Sequence, residues 1–298
     1  MTTLDSAASR LHAHVQMLAG TIGERNVWRC NALDRAARYV AAQFASGGYA
    51  PRLQTFDVAK IPVSNVEATL EGVGRPEEIV VIGAHYDTVS GCPGANDNGS
   101  GVAAVLELAQ RFSRRPQPCT IRFVAFVNEE PPFFRTAHMG SVVYANAAKA
   151  RGDRVTGMVS LETMGYYSDE RGSQQYPAEM ASLYPDVGNF IGFVANDASA
   201  PLLSKARRAF EQRTSFPVQA AAAPDEVPGV GWSDQWAFWQ AGYSAMMVTD
   251  TAPFRYPWYH TADDTPDKID YEKLAQVVDG LEAVIASLAH PSFNASVG

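Results

Sequence analysis

Residues 79–110 constrain this chain more than any other stretch. Ile79 to Ile82 is a β-branched run short enough for a buried strand, and it ends at Gly83-Ala84. A Gly/Pro loop follows. Asn98-Gly99-Ser100-Gly101 then opens onto apolar positions at helical spacing: Val102, Val105, Leu106, Leu108 and Ala109. Three side chains able to hold a metal or a proton fall on this unit: His85 at the strand end, Asp87 two residues on, and Asp97 where the loop becomes a helix. Open α/β sheets build their sites at the carboxyl ends of strands and the helix starts that follow.

The rest of the chain keeps the alternation. Apolar spacing predicts helices over 6–19, 31–46, 99–113, 138–148, 201–213 and 271–288, with a Trp-rich helix capped by Ser233-Asp234. Strands are expected over 54–58, 63–70, 79–84, 119–127, 155–161, 190–195 and 245–248, and residues 220–231 read as a loop. Residues 168–188 are polar and rich in Gly, Ser and Pro. The α/β pattern resumes after them, so they read as an excursion within one domain spanning 1–298. Strands alternating with helices argue a partly parallel sheet.

Charge narrows the partners. The chain has 24 basic and 32 acidic residues, a net charge of −8, and no basic run. That argues against nucleic acid or an anionic membrane as the main partner. No apolar run approaches membrane-span length. The first dozen residues lack the positive start and apolar core of a signal peptide. Three cysteines without disulfide-like spacing suit a reducing compartment, so a cytoplasmic location is expected. Cys92 reads as a loop thiol, and His12 and His14 as solvent-facing residues of the first helix.

In an extended segment residues two apart share a face, so Asp87 can reach the imidazole of His85 and fix its tautomer. A surface histidine near a solvated aspartate reads the same way, and the triplet alone leaves both readings open. Glu129-Glu130 ends an apolar strand and precedes Pro131-Pro132. Adjacent carboxylates there point to opposite faces, so one can bind a metal while the other works on a proton; a hydrophilic loop start is the bland alternative. Glu162 ends a third strand, and His260 follows an aromatic loop. Imidazoles and carboxylates without a cysteine cluster suit zinc or a similar divalent ion in a hydrolytic site.

With these motifs in order, the chain resembles the M28 peptidases, the zinc aminopeptidases related to bacterial leucyl aminopeptidases and glutamate carboxypeptidase II. The resemblance runs from about residue 79 to 280. It rests on Gly83-Ala-His-Tyr-Asp87, Gly94-Ala-Asn-Asp-Asn-Gly-Ser-Gly101, Phe126-Val-Asn-Glu-Glu130 and His260-Thr-x-x-Asp-Thr265. It implies a three-layer α/β/α sandwich around a mixed, largely parallel sheet. It also implies two zinc ions: His85, Asp97 and Glu162 on one; Asp97, Glu130 and His260 on the other. Glu129 falls on the general base, Asp87 on the acid that orients His85, and Asp97-Asn98 on a cis peptide bond. Glu162 stands where the family usually has aspartate.

The function expected on that basis is removal of N-terminal residues from peptides with a free amine, by metal-activated water. Glutaminyl cyclisation, which similar proteins perform with one zinc, is the alternative on the same scaffold. A metallocarboxypeptidase is another; Arg135 and Arg255 are the available cations for a substrate carboxylate. Phe133, Tyr166, Tyr167, Trp232, Phe254 and Trp258 are candidates for an apolar substrate pocket or for core. Phe133, Tyr166 and Trp258 are the expected substrate contacts, with Tyr166 as oxyanion partner. His138 is read as a helix-start residue.

Overall fold

The computed structural model describes residues 6–178 and 180–290. Met1 to Asp5, part of the stretch from which a leader is read as missing, lie outside the described residues.

Eight strands form one sheet in the order β1-β2-β4-β3-β5-β8-β6-β7. They are β1 (Arg52–Val58), β2 (Ile61–Leu70), β3 (Arg75–His85), β4 (Cys119–Phe126), β5 (Arg154–Glu162), β6 (Ile191–Ala195), β7 (Val218–Ala222) and β8 (Ala245–Thr249). The centre, β4-β3-β5-β8, is parallel throughout. The β1-β2, β2-β4 and β8-β6 pairs are antiparallel, which makes the sheet mixed.

Both faces of this sheet are buried, and the two-residue period of a strand sorts its side chains between them. On β3, Val80, Ile82 and Ala84 join the core under α1 (Ala7–Val15), α2 (Cys30–Ser46), α3 (Gly101–Phe112), α5 (Ala200–Arg213) and α8 (Tyr271–Ala289). Ile79 and Val81 join the opposite core with residues of α4 (Gly140–Arg151) and α6 (Gln235–Ala241). On β4 the same division puts Ile121, Phe123 and Ala125 on the first side and Val124 and Phe126 on the second. The result is the three-layer α/β/α sandwich. Glu107, buried on α3, takes two hydrogen bonds from Arg10 at 2.7 and 2.8 Å and one from Arg111, fastening α1 to the helix that Asp97 leads into.

Several local expectations change. The first helix passes into a wider turn over Gln16–Ile22 rather than running on to residue 19. His12 is exposed, but His14 is not solvent-facing: it is half-buried, with Nδ1 2.7 Å from the Tyr39 hydroxyl. His138 sits exposed in a turn, because α4 begins only at Gly140. Residues 218–222, the last three read as loop, pair parallel to β6 as an edge strand. Ser233 and Asp234 make no side-chain cap on α6, since the Ser233 hydroxyl is engaged elsewhere.

Candidate active site

The acids and imidazoles converge at one edge because parallel strands end together. His85 is the last residue of β3 and pairs with Phe126, the last of β4, while Glu162 is the last of β5. Glu129 and Glu130 follow β4 by three and four residues. Asp97 arrives from the loop ahead of α3, and His260 from the loop after the short helix α7 (Ala252–Arg255).

Asp97 lies at the centre. Its Oδ1 is 3.2 Å from His85 Nε2 and its Oδ2 is 3.0 Å from His260 Nε2. Glu162 Oε2 is 3.3 Å from His85 Nε2, and Glu130 Oε2 is 3.3 Å from His260 Nε2. Two donor triads thus share one carboxylate, an oxygen to each side. Both Asp97 Oδ1 and Glu130 Oε1 are buried without a hydrogen-bond partner. Leaving such acceptors unsatisfied is costly, and a cation held among them would satisfy both. His85, Asp97 and Glu130 also offer ligand atoms all within 4.8 Å of one another. This nitrogen and oxygen donor set fits a divalent ion such as zinc. Cys92 is buried in the intervening loop and does not join this cluster.

Each donor has its own support. Asp87 accepts the backbone amides of Glu129 and Glu130, each at 3.1 Å, so it fixes the β4 loop as well as facing His85. Its Oδ1 is 3.5 Å and its carbonyl 3.3 Å from His85 Nδ1. Glu162 Oε2 receives the Ser233 hydroxyl at 2.7 Å and the Asn98 amide at 3.2 Å. The Asp97-Asn98 peptide is cis, and Asn98 Oδ1 accepts the amides of Gly101 and Thr163. Any side chain at Gly101 would collide with Asn98 and the Leu161 carbonyl. Arg25, fully buried, donates to the carbonyls of Tyr86, Pro93 and Gly94, holding the loop between His85 and Asp97; Gly94 supplies its left-handed turn at φ +65°.

Crowded carboxylates alter the proton affinities. Burial, then the Glu162 and Glu130 charges, pushes Glu129 well above the usual carboxylate range, although His85 opposes this. Burial and Asp97 lift Glu130 to about 7. Burial disfavours charge on Asp97, yet the neighbouring His260 and His85 imidazoles bring its pKa below the ordinary value. Burial likewise opposes charge on His260, but Asp97 and Glu130 raise it to about 10.

The aromatic residues divide differently from expectation. Tyr259 stacks on His260 with ring centroids 3.8 Å apart, and its phenol is raised by burial and by Asp97, Glu130, Glu162 and Glu129. Tyr166 packs against Tyr256 and Trp258, and besides burial its phenol feels Glu170, Arg255 and Asp250 instead. Trp258 belongs to that same aromatic group, beneath the Lys268 ammonium. Phe133 stacks on Trp28. Adjacency to His260 was the available sequence signal for Tyr259.

A mainly apolar cavity, open to solvent, lies beside Glu162 and Tyr259. Phe193, Met247, Trp232 and Phe254 line it, together with Tyr176, Met180 and Tyr184 from the excursion. Tyr167 is core, buried against Phe216. Arg135 bonds the Gly231 carbonyl at 2.9 Å and lies over Trp236, and Arg255 is buried against Gln174 and the Phe190 carbonyl. Neither cation is directed at the acid cluster by these contacts.

The model of peptidase family M28 matches residues 65–285. This chain belongs to peptidase family M28. YfbL of Escherichia coli (strain K12) is 36% identical over 289 residues, covering 94% of this M28 chain and 88% of YfbL. Aminopeptidase YwaD of Bacillus subtilis (strain 168) is 28% identical over 222 residues, covering 72% of this chain; the chain spans only 43% of YwaD. Among solved structures, the zinc aminopeptidase BSAP from Bacillus subtilis superposes with a TM-score of 0.72 at 18% identity, covering 93% of this chain and 94% of that one. The glutaminyl cyclase of Fimbriiglobus ruber superposes at 0.71 with 21% identity, covering 96% of each. These two similarities describe the M28 fold. No helix among the described residues is long and apolar enough to cross a membrane.

Proposed function

We propose that this chain is a zinc aminopeptidase that holds two ions and removes apolar N-terminal residues from peptides. The observation that carries the reading is the division of Asp97, with Oδ1 toward His85 and Oδ2 toward His260. His85, Asp97 and Glu162 would hold one ion; Asp97, Glu130 and His260 would hold the other. When bound, zinc polarises a scissile carbonyl and makes water acidic enough to attack near neutral pH.

Glu129 belongs to neither triad. Burial raises its proton affinity, which suits a carboxylate that takes a proton from the attacking water and, once protonated, passes it to the departing amine. Asp87 holds the Glu129 and Glu130 amides, setting where both carboxylates point. Tyr259 keeps its phenolic proton and can donate it to the substrate carbonyl as charge develops there. The cavity beside Glu162 accepts the first side chain, and its predominantly apolar lining favours an apolar one. Cyclisation needs one ion, so the second complete triad supports hydrolysis.

The test is a panel of aminoacyl anilides and dipeptides, each with a free or acetylated amine, assayed with zinc and after chelation. Chelator-sensitive cleavage confined to free amines, best with apolar first residues, is expected. Cleavage of acetylated substrates would replace this reading with a carboxypeptidase. Inert anilides and dipeptides with turnover of N-terminal glutaminyl peptides would replace it with a cyclase.

A further inference from the structure

Trp28 is 58% exposed, although it lies beside the active site rather than on a remote surface. Its ring stacks on Phe133, centroids 6.0 Å apart and planes inclined by 24°. Both members are anchored to site residues. Phe133 donates its amide to the Glu130 carbonyl at 3.0 Å. Trp28 follows Arg25 and Asn26; the Arg25 amide binds the Thr88 hydroxyl at 3.1 Å, and the Asn26 side chain binds the Thr88 carbonyl at 3.3 Å. Thr88 is the neighbour of Asp87. An exposed indole stacked on a half-buried phenyl ring, both on segments hydrogen-bonded to site residues, is informative in a way that scattered exposed residues are not.

Sheet order gives the pair a direction. The apolar cavity lies beyond Glu162, lined by residues of β6, β7 and β8. Phe133 and Glu129 follow β4, on the other side of β3. From β5 to β4 is two inter-strand spacings, about 10 Å, the reach of about three extended residues. A peptide whose first side chain enters the cavity therefore crosses the donor triads and leaves on the β4 side. Glu129, which serves the departing amine, stands on that side too.

We propose that the Trp28–Phe133 stack is the contact surface for the second residue of the substrate, immediately after the scissile bond, and that it favours an aromatic side chain there. The inference rests on the aminopeptidase reading and adds a leaving-group preference to it. An aromatic side chain laid on the stack gains both apolar burial and ring contact, amounting to about three- to tenfold in affinity.

The experiment measures kcat and KM of the zinc-loaded full chain on amidated Leu-Gly, Leu-Ala, Leu-Phe and Leu-Trp. The expected result is kcat/KM about three- to tenfold higher for Leu-Phe than for Leu-Gly, carried by KM. Trp28→Ala should bring that ratio close to one, and Trp28→Phe should restore most of it. Damage to folding lowers all four substrates together, so the ratio separates recognition from structure. Cleavage by the unaltered chain without a second-residue preference overturns this proposal alone, as does a ratio that survives Trp28→Ala. Failure to cleave any of the four overturns the aminopeptidase reading and this proposal with it.

Discussion

Asp264 accepts the backbone amide of Asp97 at 3.1 Å through Oδ2, and that of Asn96 at 2.8 Å through Oδ1. The Tyr256 hydroxyl also donates to Oδ1 at 2.8 Å. Asp264 stands four residues after His260, so one buried carboxylate ties the histidine loop to the loop carrying the shared aspartate. Asp264→Asn keeps the shape but gives one oxygen and one donor to face amides that require acceptors. Metal affinity should fall about 10–100-fold, as it does when outer partners of ligands are lost. Competition with a chelator of known affinity reads this directly, and unchanged affinity would show that Asp264 does not position Asp97.

Glu129→Gln and Glu130→Gln should separate although the residues are adjacent. Glu129 lies outside both triads, with Oε2 3.8 Å from His85 Nε2. Its replacement should lower kcat by about 10²–10⁴-fold while zinc content is retained. Glu130 Oε2 faces His260 at 3.3 Å, so its replacement should reduce the zinc held. Metal analysis beside kcat distinguishes the two. A Glu129→Gln protein that loses zinc would move Glu129 into the ligand set.

Metal loading should depend steeply on pH. Burial and Asp97 hold Glu130 at about 7, Glu162 is also raised, and the acids around His260 keep it protonated to about 10. An ion needs these donors deprotonated, so it must displace protons. The sign follows: affinity climbs as pH rises through 7 and falls below it, with protons released on binding. Calorimetry in buffers of different ionisation enthalpy measures that release. Binding at pH 6–8 without proton release would contradict the raised pKa values.

The strand ends were legible because uninterrupted apolar runs mark buried parallel strands, and His85, Glu130 and Glu162 follow such runs at fixed short distances. Less legible features lacked that periodicity. Val218–Ala222 is mainly alanine and lies at the sheet edge, so neither β-branching nor alternation identified β7. The excursion is polar on average, yet Tyr176, Met180 and Tyr184 form a cavity wall, a use of isolated side chains that composition averages away. Ser233 has the residue type of a helix cap, and only the fold shows its hydroxyl 2.7 Å from Glu162. Tyr259 and Tyr166 are both tyrosines near strand-end acids; the turn that stacks Tyr259 on His260 distinguishes them.

His14 should contribute a separate acid sensitivity through its own burial. Burial on the α1 face lowers its pKa from 6.5 to about 4, a shift that Glu107 opposes and Arg10 assists. The folded state therefore keeps His14 neutral while the unfolded chain binds a proton below about pH 6.5. Stability from this group is present above pH 6.5 and is lost as pH falls toward 4. Between pH 7 and 5 the loss is at most about 2 kcal/mol, and solvent screening of a half-buried ring reduces it. His14→Gln removes the titration while leaving an amide able to meet the Tyr39 hydroxyl. Urea midpoints of the two proteins at pH 7 and pH 5 provide the test, with the variant expected to lose less on acidification. Equal losses would show that His14 is protonated in the folded protein at pH 5.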